Sequence, residues 1–328
     1  MNRLEGKVAI ITGATSIGIG RETALKLSAE GALLTVTGRN EEEGKKTVEL
    51  VKSQGGECIY IKHDVSSEKN WKEVIQETIN VYGSIDYLVN NAGQFWIKPI
   101  AETSLDDFKQ ICSVNIDGTW LGMKHCLDRM NDGGAIVNVS SLMGQMGLPQ
   151  GAGYCASKGA VTSMTKSVAL EAAKRKIRVN ALHPGVIWTT MVGGGEGGDE
   201  NLKNFFIQET PIRMVGLPEH MADAILFLCA SNYITGADIN YEGSCLIDIS
   251  ILNAAKISPF EKIDIYNITN GERFSTYAIA GKAETGSICI NGAACHKAKI
   301  GDKIIICTYT ELESNQIQNH KPTIIYVD

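Results

Sequence analysis

Apolar and polar positions alternate on two different scales along the chain. In the longer first part, short runs rich in Val, Ile and Leu recur between charged stretches: Val8 to Thr12, Leu33 to Thr37, Cys58 to Ile61, Tyr87 to Asn90, Ala135 to Ser140 and Ile177 to Leu182. Continuous apolar runs of this length mark strands buried on both faces, and the stretches between them have helical length and period. Glu68 to Tyr82 shows that period, with Trp71, Ile75 and Ile79 on one face and charges on the other. Strands alternating with helices predict an α/β fold, a doubly wound parallel sheet covered on both faces. Pro218 to Ala230 reads as a further helix, and Ile234 to Asn240 as a short Gly-led strand closing the sheet.

Beyond Ser244 the texture changes. Lys262 to Ile268, Phe274 to Ala280, Ser287 to Ile290, Lys303 to Tyr309 and Thr323 to Val327 are short β-prone runs punctuated by Gly, Asn and Asp. They predict a small, mostly-β, barrel-like domain. The change places a boundary between residues 1–236 and 237–328, and a length of 328 residues fits two domains. No Pro- or Ser-rich linker separates them, so the two should abut. The seam itself, Tyr241-Glu242-Gly243-Ser244-Cys245, reads as a Gly-Ser turn between two β-prone runs.

Composition narrows the partners. A formal net charge of -6 with dispersed Lys and Arg offers no basic stripe, which argues against nucleic acid or an anionic membrane and for small molecules. The start, Met1-Asn2-Arg3-Leu4-Glu5-Gly6, does not resemble a targeting peptide, and charges interrupt every longer apolar stretch, so a soluble cytoplasmic enzyme is expected. The nine cysteines, among them Cys58, Cys126 and Cys289, show no paired CxxC spacing. They read as reduced thiols with no metal site.

The first strand runs into Thr12-Gly13-Ala14-Thr15-Ser16-Ile17-Gly18-Ile19-Gly20-Arg21. Glycines at a strand-to-helix turn let backbone amides approach a pyrophosphate at a helix N-terminus, and a tight turn packed under a sheet uses glycines in the same way. Tyr154 and Lys158 are four apart, so on a helix they share one face. A helix face with a snorkelling lysine has the same spacing. A phenol with a pKa near 10 exchanges protons poorly at neutral pH unless a cation stabilises its anion, and Lys158 could be that cation.

Taken with other sites, these stretches resemble the short-chain dehydrogenase/reductase family over about residues 1 to 242. Asn90-Asn91-Ala92-Gly93 is similar to that family's motif after the fourth strand, and Asp64-Val65 to its adenine-contacting pair. Ser141, Tyr154 and Lys158 align with its catalytic serine, tyrosine and lysine, and Asn115 in Val114-Asn115-Ile116-Asp117-Gly118 with its catalytic asparagine. Pro184-Gly185 and Thr189 resemble the segment that holds the nicotinamide.

The resemblance implies a Rossmann-like sheet binding a dinucleotide at Gly13, Ser16, Gly18, Gly20, Asp64, Val65, Asn91, Ala92, Gly93, Tyr154, Lys158, Pro184, Gly185 and Thr189. Ser141 would hold the substrate oxygen, Tyr154 would transfer a proton and Asn115 would support a relay through water. Two features depart from the pattern. Four residues separate Gly13 from Gly18 where the family has three, and the second strand ends in Arg39 where an acidic residue would bind the ribose of NAD. Arg39 favours NADP, with NAD as the alternative, because a guanidinium suits a 2′-phosphate. Met191 to Leu202, rich in glycine, occupies the place of the family's substrate lid.

From Ala237 to Asp328 the chain resembles pyruvoyl-dependent aspartate 1-decarboxylase. The matching stretches are Ala237 to Ser244, Ile263 to Gly271, Arg273 to Ile279, Asn291-Gly292-Ala293-Ala294 and Gly301-Asp302. The resemblance implies cleavage between Gly243 and Ser244, with Ser244 becoming a pyruvoyl group. It makes Arg273 the binder of the substrate carboxylate, Thr276 an aid to processing and Tyr277 a proton-transfer residue.

An α-keto amide that forms a Schiff base is an electron sink for the carbanion left by decarboxylation. Alternation along a strand would put Arg273, Ser275 and Tyr277 on one face. Where that family has a first strand carrying a lysine and a histidine, this chain has Phe227-Leu228-Cys229-Ala230-Ser231-Asn232. The expectation is a bifunctional fusion in the route to pantothenate, with a ketopantoate-like or malonate-semialdehyde-like acid as reductase substrate. The other reading is an active reductase with a structural C-terminal module. Both resemblances imply a homo-oligomer, with a tetramer expected.

Overall fold

The computed structural model describes residues 2–194, 198–210, 214–240, 244–259, 261–291, 297–309 and 321–327. Its contacts divide the chain into two units, Met1–Phe206 with Val215–Ile239, and Ile207–Met214 with Asn240–Asp328.

The first unit alternates strand and helix: β1 Val8–Thr12, α1 Ile19–Ala29, β2 Leu33–Gly38, α2 Glu41–Ser53, β3 Glu57–Lys62, α3 Glu68–Tyr82, β4 Tyr87–Asn90, α4 Leu105–Cys112, α5 Gly118–Leu127, β5 Ala135–Val139, α6 Ala152–Ala172, β6 Arg178–His183, α7 Glu200–Glu209, α8 Pro218–Ala230 and β7 Asp238–Asn240. The strands form one sheet in the order β3-β2-β1-β4-β5-β6-β7. The first six pair in parallel register. Every residue of β1, β4, β5 and β6 is buried, as expected for strands covered on both faces.

Local signals set the helix ends. In α3 the Ser67 side chain accepts from Asn70 N, and Gly83 closes the last turn with φ 81°. Asn40 caps α2, whose first turn carries Glu41, Glu42 and Glu43 against the positive end of the helix dipole. Trp71, Val74 and Ile75 of α3 join Leu88, Ile136 and Val179 in one core. Between α4 and α5 the chain makes a π-helical turn at Ser113–Asp117. Wide turns of this kind cost hydrogen-bond geometry and tend to sit at functional sites.

The second unit holds β8 Ser244–Asp248, α9 Ile249–Ala255, β9 Lys262–Asn267, β10 Arg273–Gly281, β11 Ile288–Asn291 and β12 Ile304–Cys307. They build a mixed sheet in the order β11-β8-β10-β9-β12, curled into a half-barrel. One side of it, with Cys245, Ile247, Ile263, Ile265 and Ala278, packs with Leu252 of α9 into a separate apolar cluster. The β9–β10 hairpin is closed by Asn267, whose side-chain amide donates to Asp302 Oδ2 at 2.6 Å and to Lys297 O at 2.9 Å.

One expectation fails in this unit: Thr323 to Val327 takes no strand conformation. Ile249–Ala255, for which no element is expected from the sequence, is a helix. The Asp248 side chain accepts from Ser250 N there, capping a turn that the β-branched residues alone disfavour. Among the described residues no helix is long and apolar enough to cross a membrane.

Candidate active site

The glycine turn after β1 is shaped by close backbone approach. Gly13 has φ +68°, and a Cβ there would lie 2.9 Å from the Ala92 Cα. A Cβ on Gly20, in the first turn of α1, would lie 2.5 Å from Gly13 O and 2.7 Å from Asn91 Nδ2. The same Asn91 amide donates to Thr12 O at 2.9 Å and Gly13 O at 3.2 Å. Thr12 Oγ1 in turn accepts from the backbone amides of Asn91 and Ala92, each at 3.0 Å.

Residues 91–93 are thereby tied to the glycine turn. The extra residue between Gly13 and Gly18 is absorbed outward, where Ser16 and Ile17 are exposed. No side chain caps α1, which starts after Gly18, so its first-turn amides remain for an anion. A cradle with no room for a Cβ and free amides at its helix fits the pyrophosphate of a dinucleotide. Gly18 faces Thr189, whose methyl would be 3.7 Å from a Cβ there, and Pro184 O accepts from Leu142 N at 3.0 Å. The residues expected to hold a nicotinamide therefore adjoin both the glycine cradle and the turn that carries Ser141. Arg39 is exposed just past β2, and Asp64, after β3, is held below the usual carboxylate range by its hydrogen bonds from Ser66 and by the Arg39 charge. Gly185 lies half-buried beside Pro184, and Val65 is buried with its carbonyl accepting from Trp71 Nε1 at 2.9 Å.

Ser141, Tyr154, Lys158 and Asn115 converge and are all buried. Ser141 caps a short 3₁₀ turn, its Oγ accepting from Met143 N at 3.1 Å. Tyr154 and Lys158 share one face of α6, with Lys158 Nζ 5.9 Å from the centre of the Tyr154 ring. Lys158 Nζ donates to Val139 O at 2.8 Å and lies 3.3 Å from where a Cβ of Gly93 would stand. Asn115 sits in the π-helical turn. Both of its amide protons are donated, to Gln94 O at 3.0 Å and Ser157 Oγ at 2.9 Å, and its Oδ1 accepts from Gln94 N at 2.7 Å. The side chain expected to support a water relay is thus committed to tying the 91–95 loop to α6.

The electrostatics differ from the expectation that Lys158 makes Tyr154 more acidic. Burial pushes the Tyr154 phenol up, and the hydrogen bond with Ser141 offsets only part of that. Burial also lowers Lys158 to about 8, since a desolvated ammonium is disfavoured. A phenol kept protonated at neutral pH suits donation to a carbonyl oxygen. A bound nicotinamide would supply the hydride, Ser141 would orient the oxygen, Tyr154 would give its proton, and the Lys158 charge would stabilise the phenolate left behind.

Because the ammonium is present only below its lowered pKa, kcat/KM for reduction is expected to fall above about pH 8, approaching tenfold per pH unit. A profile flat to pH 10 contradicts this role of Lys158. Sequence reasoning did not find Phe95, whose ring stands edge-on to Tyr154 at 4.9 Å, or Thr12 and Ser157, which hold the site together. Small polar residues beside a motif carry no spacing signal of their own.

A family model described as enoyl-(acyl carrier protein) reductase matches residues 13–243. The chain belongs to the short-chain dehydrogenase/reductase family. An uncharacterized oxidoreductase of Thermotoga maritima is 38% identical over 73% of this chain and 97% of its own. An NADP-dependent (R)-specific alcohol dehydrogenase of Lentilactobacillus kefiri is 37% identical over 74% of this chain and 97% of its own. Among solved structures, a short-chain dehydrogenase/reductase from Serratia marcescens superposes with TM-score 0.68 at 30% identity, covering 73% of this chain and 97% of that one.

A second family model, aspartate decarboxylase, matches residues 229–328, so this family member carries a decarboxylase module behind its oxidoreductase. The two matches overlap over 229–243. Structurally, Phe227 to Ala230 belong to α8 and Asp238 to Asn240 to β7, both within the reductase fold.

In the second unit Arg273, Ser275 and Tyr277 of β10 pair with Tyr266, Asp264 and Lys262 of β9. The Arg273 guanidinium stands 5.2 Å over the Tyr266 ring, beside a cleft of about 380 Å³, and Ser275 Oγ donates to Asp264. Thr276, buried, falls on the alternate face opposite Ile263. The Ser244 backbone begins β8 and pairs with Asn291, and the parallel register of Cys245 with Ala278 puts it level with Tyr277. Arg273 lies four residues before Tyr277, about 13 Å along the strand. Gly243, the Gly292-Ala293-Ala294 stretch and the Ser244 side chain lie outside the described residues, as do Gly195, Glu196 and Gly197 of the glycine-rich segment expected to be a lid.

Proposed function

We propose that the chain joins an NADP-dependent carbonyl reductase, acting in reverse on alcohols, to a self-processing aspartate 1-decarboxylase module that forms β-alanine in the pantothenate route. The convergence of Ser141, Tyr154 and Lys158 beside the glycine cradle carries the first half. NADP as the cofactor is supported by the exposed Arg39 after β2 and by the NADP-dependent relative from Lentilactobacillus kefiri.

The second half is supported by the decarboxylase match and by the register that sets Ser244 level with Tyr277. Attack of the Ser244 hydroxyl on the Gly243 carbonyl would exchange the amide for an ester. Elimination would leave Gly243 with a carboxylate, and hydrolysis of the resulting enamine would give a pyruvoyl group and ammonia. An offset of about 13 Å along β10 between Arg273 and the level of Ser244 within one chain favours a homo-oligomer, proposed as a tetramer, in which a second copy contributes to the site.

The competing reading, an active reductase with an unprocessed C-terminal module, is favoured by one observation. Phe227–Ala230 are helical in α8, where the decarboxylase family has its lysine-bearing strand. Intact-mass analysis separates the two. Processing predicts two fragments split between Gly243 and Ser244, the smaller reducible by borohydride, and an unbroken chain for Ser244→Ala. An unbroken wild-type chain sinks the decarboxylase half.

A further inference from the structure

His183, at the end of β6, is fully buried and takes no part in the proton path from Tyr154. Its Nδ1 lies 3.0 Å from the carbonyl oxygen of Ser141. A carbonyl only accepts, so Nδ1 carries the proton and donates it. On the other side of the ring, Nε2 faces Asp238 Oδ1 at 3.5 Å and the Gln145 side-chain amide at 3.4 Å. Asp238 opens β7, and its second oxygen holds Lys166 Nζ at 2.6 Å. Lys166 is on α6, the helix that bears Tyr154 and Lys158. At 3.5 Å from Nε2, Asp238 Oδ1 accepts no hydrogen bond; with Nδ1–H already given to Ser141 O, the ring meets the carboxylate as an ion pair when Nε2 carries a second proton. The Ser141 carbonyl also accepts from Gly144 N at 2.9 Å. Two donors thus fix the peptide whose side chain must face Tyr154: one from its own turn, one from a ring that faces the β7 carboxylate at 3.5 Å.

We propose that His183 and Asp238 are positioning residues for the reductase: Asp238 orients the His183 ring, and His183 holds the Ser141 peptide so that its hydroxyl stays on Tyr154. This rests on the reductase reading above. It also makes the strand that hands the chain to the decarboxylase module a working part of the reductase, with the last contributing residue before the Gly243–Ser244 bond.

The test uses the full chain with His183→Leu, His183→Asn and Asp238→Asn, reading NADPH-dependent turnover, NADPH binding by fluorescence and melting temperature. Displacement of a reacting group by a fraction of an ångström predicts a kcat loss of roughly tenfold to a hundredfold in His183→Leu and Asp238→Asn, with KM and NADPH affinity within about twofold of wild type. His183→Asn places an amide donor where Nδ1 sits and should recover most of the rate. Wild-type kcat in Asp238→Asn, even with a lower melting temperature, overturns the proposal, as does an equal loss in His183→Asn and His183→Leu. A wild-type chain that oxidises NADPH with no carbonyl removes the reductase reading itself, and this inference with it.

Discussion

Tyr154→Phe is expected to cut NADPH-dependent carbonyl reduction by roughly a thousandfold while leaving NADPH affinity and melting temperature near those of the wild type. The substitution removes one hydroxyl and keeps the ring that packs edge-on against Phe95 at 4.9 Å. Binding should be spared because the cradle that fits a pyrophosphate is made of backbone from Gly13 to Gly20. The lost factor corresponds to about 4 kcal/mol of transition-state stabilisation, more than an ordinary neutral hydrogen bond contributes to folding. The excess reflects timing: burial keeps the phenol protonated, so its proton is available when the carbonyl oxygen gains charge. Steady-state rates beside NADPH fluorescence titration check the split. A parallel fall in affinity and rate would mean that Tyr154 chiefly holds the cofactor.

Gly20→Ala should abolish measurable NADPH binding, weakening it by more than about a hundredfold, and lower the melting temperature. Two effects oppose each other. Alanine favours a helix over glycine by about 1 kcal/mol, and Gly20 is in the first turn of α1. Against that, the new Cβ would stand 2.5 Å from Gly13 O and 2.7 Å from Asn91 Nδ2. Such overpacking costs about 1–3 kcal/mol, and the atom to be displaced is backbone. The clash wins. Relief would push the Gly13 turn away from Asn91 and Ala92 and open the cradle meant for the pyrophosphate. Isothermal titration with NADPH and thermal melting give the two readouts, and wild-type affinity in Gly20→Ala would mean the pyrophosphate lies elsewhere.

Much of this was legible in the sequence for a physical reason. Strands buried on both faces write themselves as unbroken apolar runs, so Tyr87–Asn90 was read with its true limits, and the amphipathic period of Glu68–Tyr82 gave α3 entire. Features decided by the third dimension were not legible. The π-helical turn at Ser113–Asp117 has no residue signature, since it comes from seating Asn115 against Gln94 and Ser157. Helix α9 is short, has β-branched Ile249 and Ile251 in its first turn, and is held by packing of Leu252.

In the site, spacing alone put Tyr154 and Lys158 on one face, but the direction of their shifts depends on burial, which no spacing records. The His183–Asp238 pair joins residues 55 apart in the chain (183 to 238), and although Asp238 falls in the 237–244 stretch that resembles the decarboxylase, no spacing ties it to His183.

The most direct measurement is hydride transfer itself, followed with NADPH deuterated at the nicotinamide carbon that gives up the hydride and a panel of neutral and acidic carbonyl substrates. The wild-type chain should place deuterium on the carbinol carbon of the product, and Tyr154→Phe, still saturated with cofactor, should do so roughly a thousandfold more slowly. Equal rates in the two proteins, or no transfer to any carbonyl by a wild-type chain with NADPH bound, would contradict a reductase centred on Tyr154.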